Sequence, residues 1–189
     1  MSAEQLARGL ASTQAVLDGV TPDQLDRATP CASWTVRELV NHIVGGTTYF
    51  AVVAETGEPP ADGGDAPDFG AGDFVSAFRE GSARALSACE AEGAMEKTMR
   101  LPFAELPGSV FVTIAATDTF THGWDLAKAT GQSTDLDPGL AAELLVTARC
   151  FVPDAARGPD GRAAFGPEVE TPDGATEADR LAAFLGRRP

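Results

Sequence analysis

The sequence is short of the groups on which much metal, redox and nucleic-acid chemistry is built. Its 189 residues include two histidines, three cysteines and one tyrosine, and 14 basic side chains stand against 28 acidic ones, a net charge of −14. Scarcity of base argues against binding nucleic acid or an anionic membrane surface, since either requires clustered Lys and Arg to neutralise phosphates. Cys31, Cys89 and Cys150 are odd in number and widely spaced, with no C-x-x-C. That spacing speaks against a disulfide framework or a Cys-rich zinc site and fits a reducing compartment. No apolar run approaches the roughly 18 residues that a membrane span needs, and the N-terminus has no apolar leader, so a cytoplasmic protein is expected. H-E-x-x-H, P-loop, G-x-G-x-x-G and G-x-S-x-G patterns are all missing, which leaves metalloprotease, nucleotide-binding and serine-hydrolase readings without a motif. Small-molecule chemistry is the starting expectation.

What is present is helical periodicity. With 43% hydrophobic residues the chain is long enough for one domain, taken as residues 1–189, with a substantial core. Leu6, Leu10, Val16, Leu17 and Val20 recur at helical spacing and predict a first helix over residues 3–20. Thr35 and Glu38 form a capping-box signature, so a long second helix is expected from there to Gly57. Gly45 and Gly46 lie inside it at a cost of about 1 kcal/mol each, which predicts a close backbone approach or a kink. A third helix is expected from the cap Asp73 to Glu92, at most a short hairpin over 95–106, and a fourth helix over 109–130 closed by Gly131. Asp137-Pro138 opens a fifth, and Thr176 a short last one. Residues 57–73 carry five acidic side chains and no basic ones and are expected to form a solvated, mobile cover, while residues 153–175 wrap the surface. The pattern predicts an all-α bundle with long loops.

The histidines carry the most information. His42 falls mid-way along the second helix, and His122 follows Asp118 by four residues on the fourth, so Asp118 and His122 share a helix face. Two imidazoles and a carboxylate would hold a metal with positions left for water or substrate. D-x-x-x-H also describes a salt-linked pair on a solvated face, and a lone helical His is commonly a hydrogen-bonded structural residue. Asp125, three residues after His122, is placed to orient that imidazole or to cap. Trp34, Trp124 and Tyr49 are candidate pocket walls, and Asn41 is expected to be structural. Cys31, close to a helix start, is a candidate nucleophile or a small buried apolar residue.

Three segments in order carry a resemblance: Pro30 to Gly46, with Cys31, Trp34, His42, Gly45 and Gly46; Asp118 to Gln132, with His122, Trp124 and Asp125; and Arg180 to Pro189. Together they resemble the DinB-like (YfiT-like) metal-binding helical bundles of actinobacteria, a group that includes the metal-binding domain of mycothiol-dependent maleylpyruvate isomerase. The resemblance implies a four-helix bundle with additional C-terminal helices and a divalent metal on His42, Asp118 and His122. Zinc is the first candidate, with nickel, iron and manganese behind it. It also implies a mycothiol-type thiol as co-substrate, and isomerase or transferase chemistry on a small electrophile. In the isomerase of that group the position of Asp118 is similar to a Glu, and a further C-terminal domain follows.

Two other readings stand beside this one. A metal-binding or stress-associated module without catalysis, homodimeric through a bundle face, would use the same residues. So would a metal-dependent oxygenase, since two His and one carboxylate also describe the facial triad of non-haem iron.

Overall fold

The computed structural model describes residues 3–61, 67–159 and 162–189, and most of them are helical. α1 spans Ala3–Leu17, α2 Val36–Thr56, α3 Phe74–Glu90, α4 Gly108–Thr130, α5 Pro138–Phe151 and α6 Glu177–Phe184. Between α3 and α4 an antiparallel hairpin pairs β1, Thr98–Leu101, with β2, Ala104–Pro107. The expected all-α class therefore holds, with this hairpin as the two-stranded exception.

Helices begin where a side chain supplies the acceptor that first-turn amides lack. Thr35 accepts from the Glu38 amide while the Glu38 carboxylate accepts from the Thr35 amide at 2.7 Å, a complete capping box. Asp73 caps α3 through the Ser76 amide, Asp137 caps α5 through the Leu140 amide, and Thr176 with Asp179 repeats the box on α6. Left-handed Gly57 and Gly131 close α2 and α4, where glycine adopts positive φ without a Cβ clash.

Two expectations need correction. α1 stops at Leu17 rather than Val20, because the Gln132 side-chain amide donates to the Val16 carbonyl at 3.0 Å and the amides of Gly19 and Val20 turn back on Val16 and Leu17. Gly45 and Gly46 meet no close backbone. α2 runs through them unbroken, and a Cβ there would find only ordinary contact with the Phe69 and Phe50 rings at 3.8 and 3.7 Å. Close approach occurs at Gly123 instead, where a Cβ would collide with the Thr13 side chain and push α1 away from α4.

α1 packs along α4 and α2 along α3, with further contacts of α2 on α4 and of α1 on α3; α5 and α6 pack together and extend this core. α4 is buried on nearly every side, which accounts for its weak amphipathic pattern. Its buried Thr117 and Thr130 satisfy their hydroxyls on the helix carbonyls of Thr113 and Leu126. The expected acidic cover falls partly on residues 62–66, outside the described residues. Its far end is tied down: the Asn41 side-chain amide donates to Asp68 and its oxygen accepts from the Gly70 amide, which gives Asn41 a structural role.

Candidate metal centre

His42 on α2 and Asp118 and His122 on α4 converge where those two helices face each other. One ligand-type atom from each lies within 4.8 Å of the others. His42 Nε2 is 3.7 Å from Asp118 Oδ2, and His122 Nε2 is 3.6 Å from Asp118 Oδ1. Both separations are too long for hydrogen bonds. They suit donors about one common ion, because atoms about 2.1 Å from a tetrahedral zinc stand roughly 3.4 Å apart. The orphaned atom is the more telling observation: His42 Nε2 is buried and has no hydrogen-bond partner among the described residues. A buried imidazole nitrogen left without a partner is costly unless something else takes its lone pair. The residues present fit a divalent ion.

The other face of His122 explains why its Nε2 points there. Its Nδ1 lies 3.0 Å from Asp125 Oδ2, and with the proton on Nδ1 the Nε2 lone pair is free toward Asp118 and His42. Asp125 has no exposed side-chain surface and is held in turn by Arg187, whose Nη2 donates at 3.0 Å and whose Nε lies 3.3 Å from Oδ1. Burial alone would raise the Asp125 pKa, but Arg187 and His122 outweigh it and bring it from 3.8 to about 2. Burial works against a charged His42, and the carboxylates of Asp118 and Asp125 overcome that and raise its pKa. Asp118 is likewise pressed upward by burial and held below its ordinary value by His122, His42 and Arg187.

Arg187 was not visible as a site residue in the sequence. It follows the last helix, and the only local sign is Gly186, whose left-handed φ of 93° turns the chain back toward α4. Cys31 sits in the same network, its thiol donating to Asp125 at 3.3 Å with His122 Nδ1 at 4.0 Å. Cys31, His122 and Asp125 form a second group with ligand-like spacing. The Arg187 guanidinium, 3.9 Å from the sulfur and 3.0 Å from Asp125, already supplies the positive charge there, so the His42 side is the better cation site.

Trp34 forms a wall, its ring centroid 4.7 Å from that of His42 and 5.7 Å from that of His122. Trp124 lies elsewhere: it is buried and its indole N–H donates to Asp179, anchoring α6 to α4. Tyr49 packs edge-on against Phe50, and neither it nor Gly45 and Gly46 lines the cavities beside the histidines. A cavity of about 440 Å³ opens beside Cys31, Trp34 and Arg187. One of about 640 Å³ opens over Asp118 and His122.

Fold and site together define a mostly helical, DinB-like protein whose ligand-type side chains are gathered between α2 and α4. Residues 6–127 match the model of the mycothiol maleylpyruvate isomerase N-terminal domain, and the chain belongs to that family. Two uncharacterized proteins from separate strains of Mycobacterium tuberculosis are each 45% identical to it over 174 residues, covering 92% of this chain and 90% of theirs. In fold it is similar to the crystal structure of the mycothiol-dependent maleylpyruvate isomerase, with a TM-score of 0.57 at 16% identity over 76% of this chain and 68% of that one. His42, Asp118, His122 and Asp125 fall inside the segment matched by the family, and Arg187 lies beyond it.

Proposed function

We propose that this protein holds one divalent ion, zinc foremost, on His42, Asp118 and His122, and uses a mycothiol-type low-molecular-weight thiol to isomerise or modify a small electrophile. The family to which it belongs supports the thiol, and the Nε2 of His42, facing Asp118 and His122 and without a hydrogen-bond partner among the described residues, is the observation that supports the metal. When bound, such an ion would favour the thiolate form of a thiol near neutral pH. The protein's own groups do the rest. Asp125, pinned by Arg187, holds the His122 ring in one tautomer and orientation, and Trp34 walls one side of the two imidazoles.

Attack of the thiolate on the electrophilic carbon forms a C–S bond, and the displaced electron pair moves onto the conjugated acceptor. In an isomerisation, rotation about the former double bond is followed by return of the electron pair, which re-forms that bond as the C–S bond breaks and the same thiolate leaves. In a transfer the adduct takes a proton from water and leaves. No helix among the described residues is long and apolar enough to cross a membrane. We assign the activity to one domain that works in the cytoplasm without nucleic acid.

Elemental analysis of the purified protein tests the reading. Near-stoichiometric metal in the parent, lost in both His42→Ala and His122→Ala, is the expected result; full occupancy in either variant would overturn the ligand assignment.

A further inference from the structure

α4 leaves one narrow strip uncovered. From Val110 to Ala127 every residue is buried except Val110, Ile114 and Asp118, which follow one another at four-residue steps and so share a helix face. The uncovered strip of a helix in a globular protein normally carries polar side chains, whereas two of these three are branched hydrocarbons and the third is a proposed metal ligand. All three line the cavity of about 640 Å³, with His122 one turn beyond Asp118. Leu106, Phe151, Phe165 and Leu185 line it as well, and Phe103, 72% exposed at the hairpin turn, stands with Val110 at the rim.

The other polar side chains of the wall offer a ligand little. The Thr117 hydroxyl donates to the Thr113 carbonyl, the Thr121 hydroxyl oxygen is itself buried, and the Arg187 guanidinium is committed to Asp125 and the Leu185 carbonyl. Polar recognition is thus concentrated at Asp118 and His122, and a ligand reaching from there toward Val110 meets hydrocarbon. Eight residues of helix separate Asp118 from Val110, about 12 Å and roughly the length of an extended eight-carbon chain.

We propose that the electrophile taken by this site is amphipathic, with its polar reacting end at the ion and a hydrocarbon body of up to about eight carbons laid along Ile114 and Val110. The polar end rests on the metal reading above; the hydrocarbon body does not, and is tested without metal. Because the strip runs directly into the ligand residues, one small molecule spanning both is its occupant, rather than a second protein on the rim.

Hydroxamic acids with one head and a growing chain (acetyl, hexanoyl, octanoyl and dodecanoyl) are titrated calorimetrically into zinc-loaded protein. Affinity is expected to rise about 100-fold from acetyl to octanoyl, below the ceiling for that many buried methylenes. It should gain less than about twofold from octanoyl to dodecanoyl, whose extra carbons lie in water. Ile114→Gln should cut the gain from acetyl to octanoyl about tenfold, and Val110→Gln chiefly the step from hexanoyl to octanoyl. Each variant is judged on ratios among its own ligands, so a general loss of binding capacity does not imitate the result. In metal-free protein the neutral fluorophore N-phenylnaphthylamine should bind, be displaced by octanol at a concentration at least about tenfold lower than by butanol, and be weakened by Ile114→Gln.

Hydroxamate affinity that ignores chain length, a gain that continues undiminished to dodecanoyl, or dye binding that is absent or indifferent to Ile114→Gln overturns the proposal. So does a dimer in sedimentation that Val110→Gln converts to monomers, since the rim would then belong to contact between copies. Failure of the metal reading shows separately, as a protein that takes up no zinc while the dye still binds and Ile114→Gln still weakens it, a result that supports the hydrocarbon body.

Discussion

Asp125 is the residue on which the site's geometry turns, since its buried carboxylate meets both the His122 ring and the Arg187 guanidinium. Asp125→Asn leaves Arg187 buried beside a neutral amide and should cost roughly 3 to 5 kcal/mol, read from urea unfolding. It should also weaken zinc about 10- to 100-fold in a chelator competition while His42, Asp118 and His122 remain. The pH dependence has a definite sign. Because the carboxyl is held at about 2 against 3.8, its contribution is fully present above about pH 4 and is lost as pH falls through about 2. The gap in unfolding midpoint between the parent and Asp125→Asn should narrow as pH falls below about 4. The cysteines make a second residue-scale prediction. Cys89 is buried and its pKa is pushed up to about 11, mainly by that burial, whereas Cys150 is exposed. An aromatic disulfide reagent near pH 8 should modify Cys150 rapidly and Cys89 only after unfolding, as mass spectrometry of the labelled peptides would show.

Two element ends decide where the site residues stand. Thr35 caps α2 seven residues before His42, and its capping box fixes where that helix starts. Thr35→Ala should lower stability by about 1 kcal/mol, seen as a shift in the urea midpoint at unchanged slope. At the other end Gly186 lets the tail after α6 turn back. Its φ is positive, and a Cβ there would stand 2.7 Å from the Gly166 carbonyl carbon. Gly186→Ala should therefore lose roughly 1 to 2 kcal/mol or more and release Arg187, with faster amide exchange in residues 182–189 as the readout. The helix starts were legible because capping is local chemistry: Thr35, Asp73, Asp137 and Thr176 each act on amides within four residues. The end of α1 was not, since it depends on Gln132, far along the chain.

For the whole molecule the proposed metal acts as a clamp between α2 and α4, because His42 comes from one helix and Asp118 with His122 from the other. An ion that binds only the folded protein should stabilise it by about 2.7 kcal/mol at a free concentration 100 times its dissociation constant. Zinc should accordingly raise the thermal midpoint of the parent and leave that of His42→Ala unmoved, as scanning calorimetry would show. The close contact of α1 with α4 at Gly123 and Thr13, where the Thr13 hydroxyl donates to the Thr119 carbonyl at 2.9 Å, holds α1 against α4.

The sequence alone determined the helices, most of their boundaries, and the three side chains that face one another across α2 and α4. Periodicity and capping act over a few residues, and with two histidines in the chain the number of ligand sets was small. Only the tertiary structure decided that Arg187 locks Asp125, that Cys31 joins this network, that Trp124 and Tyr49 stand away from the cavities, and that Gly123 rather than Gly45 or Gly46 admits a neighbouring helix. Each of these depends on which distant segments pack together, and an isolated Arg or Gly gives the same local signal whether it faces water or a buried carboxylate. The apolar character of the larger cavity is of the same kind, since its walls come from β2, α4, α5 and the chain beyond, and only folding brings them around Asp118 and His122.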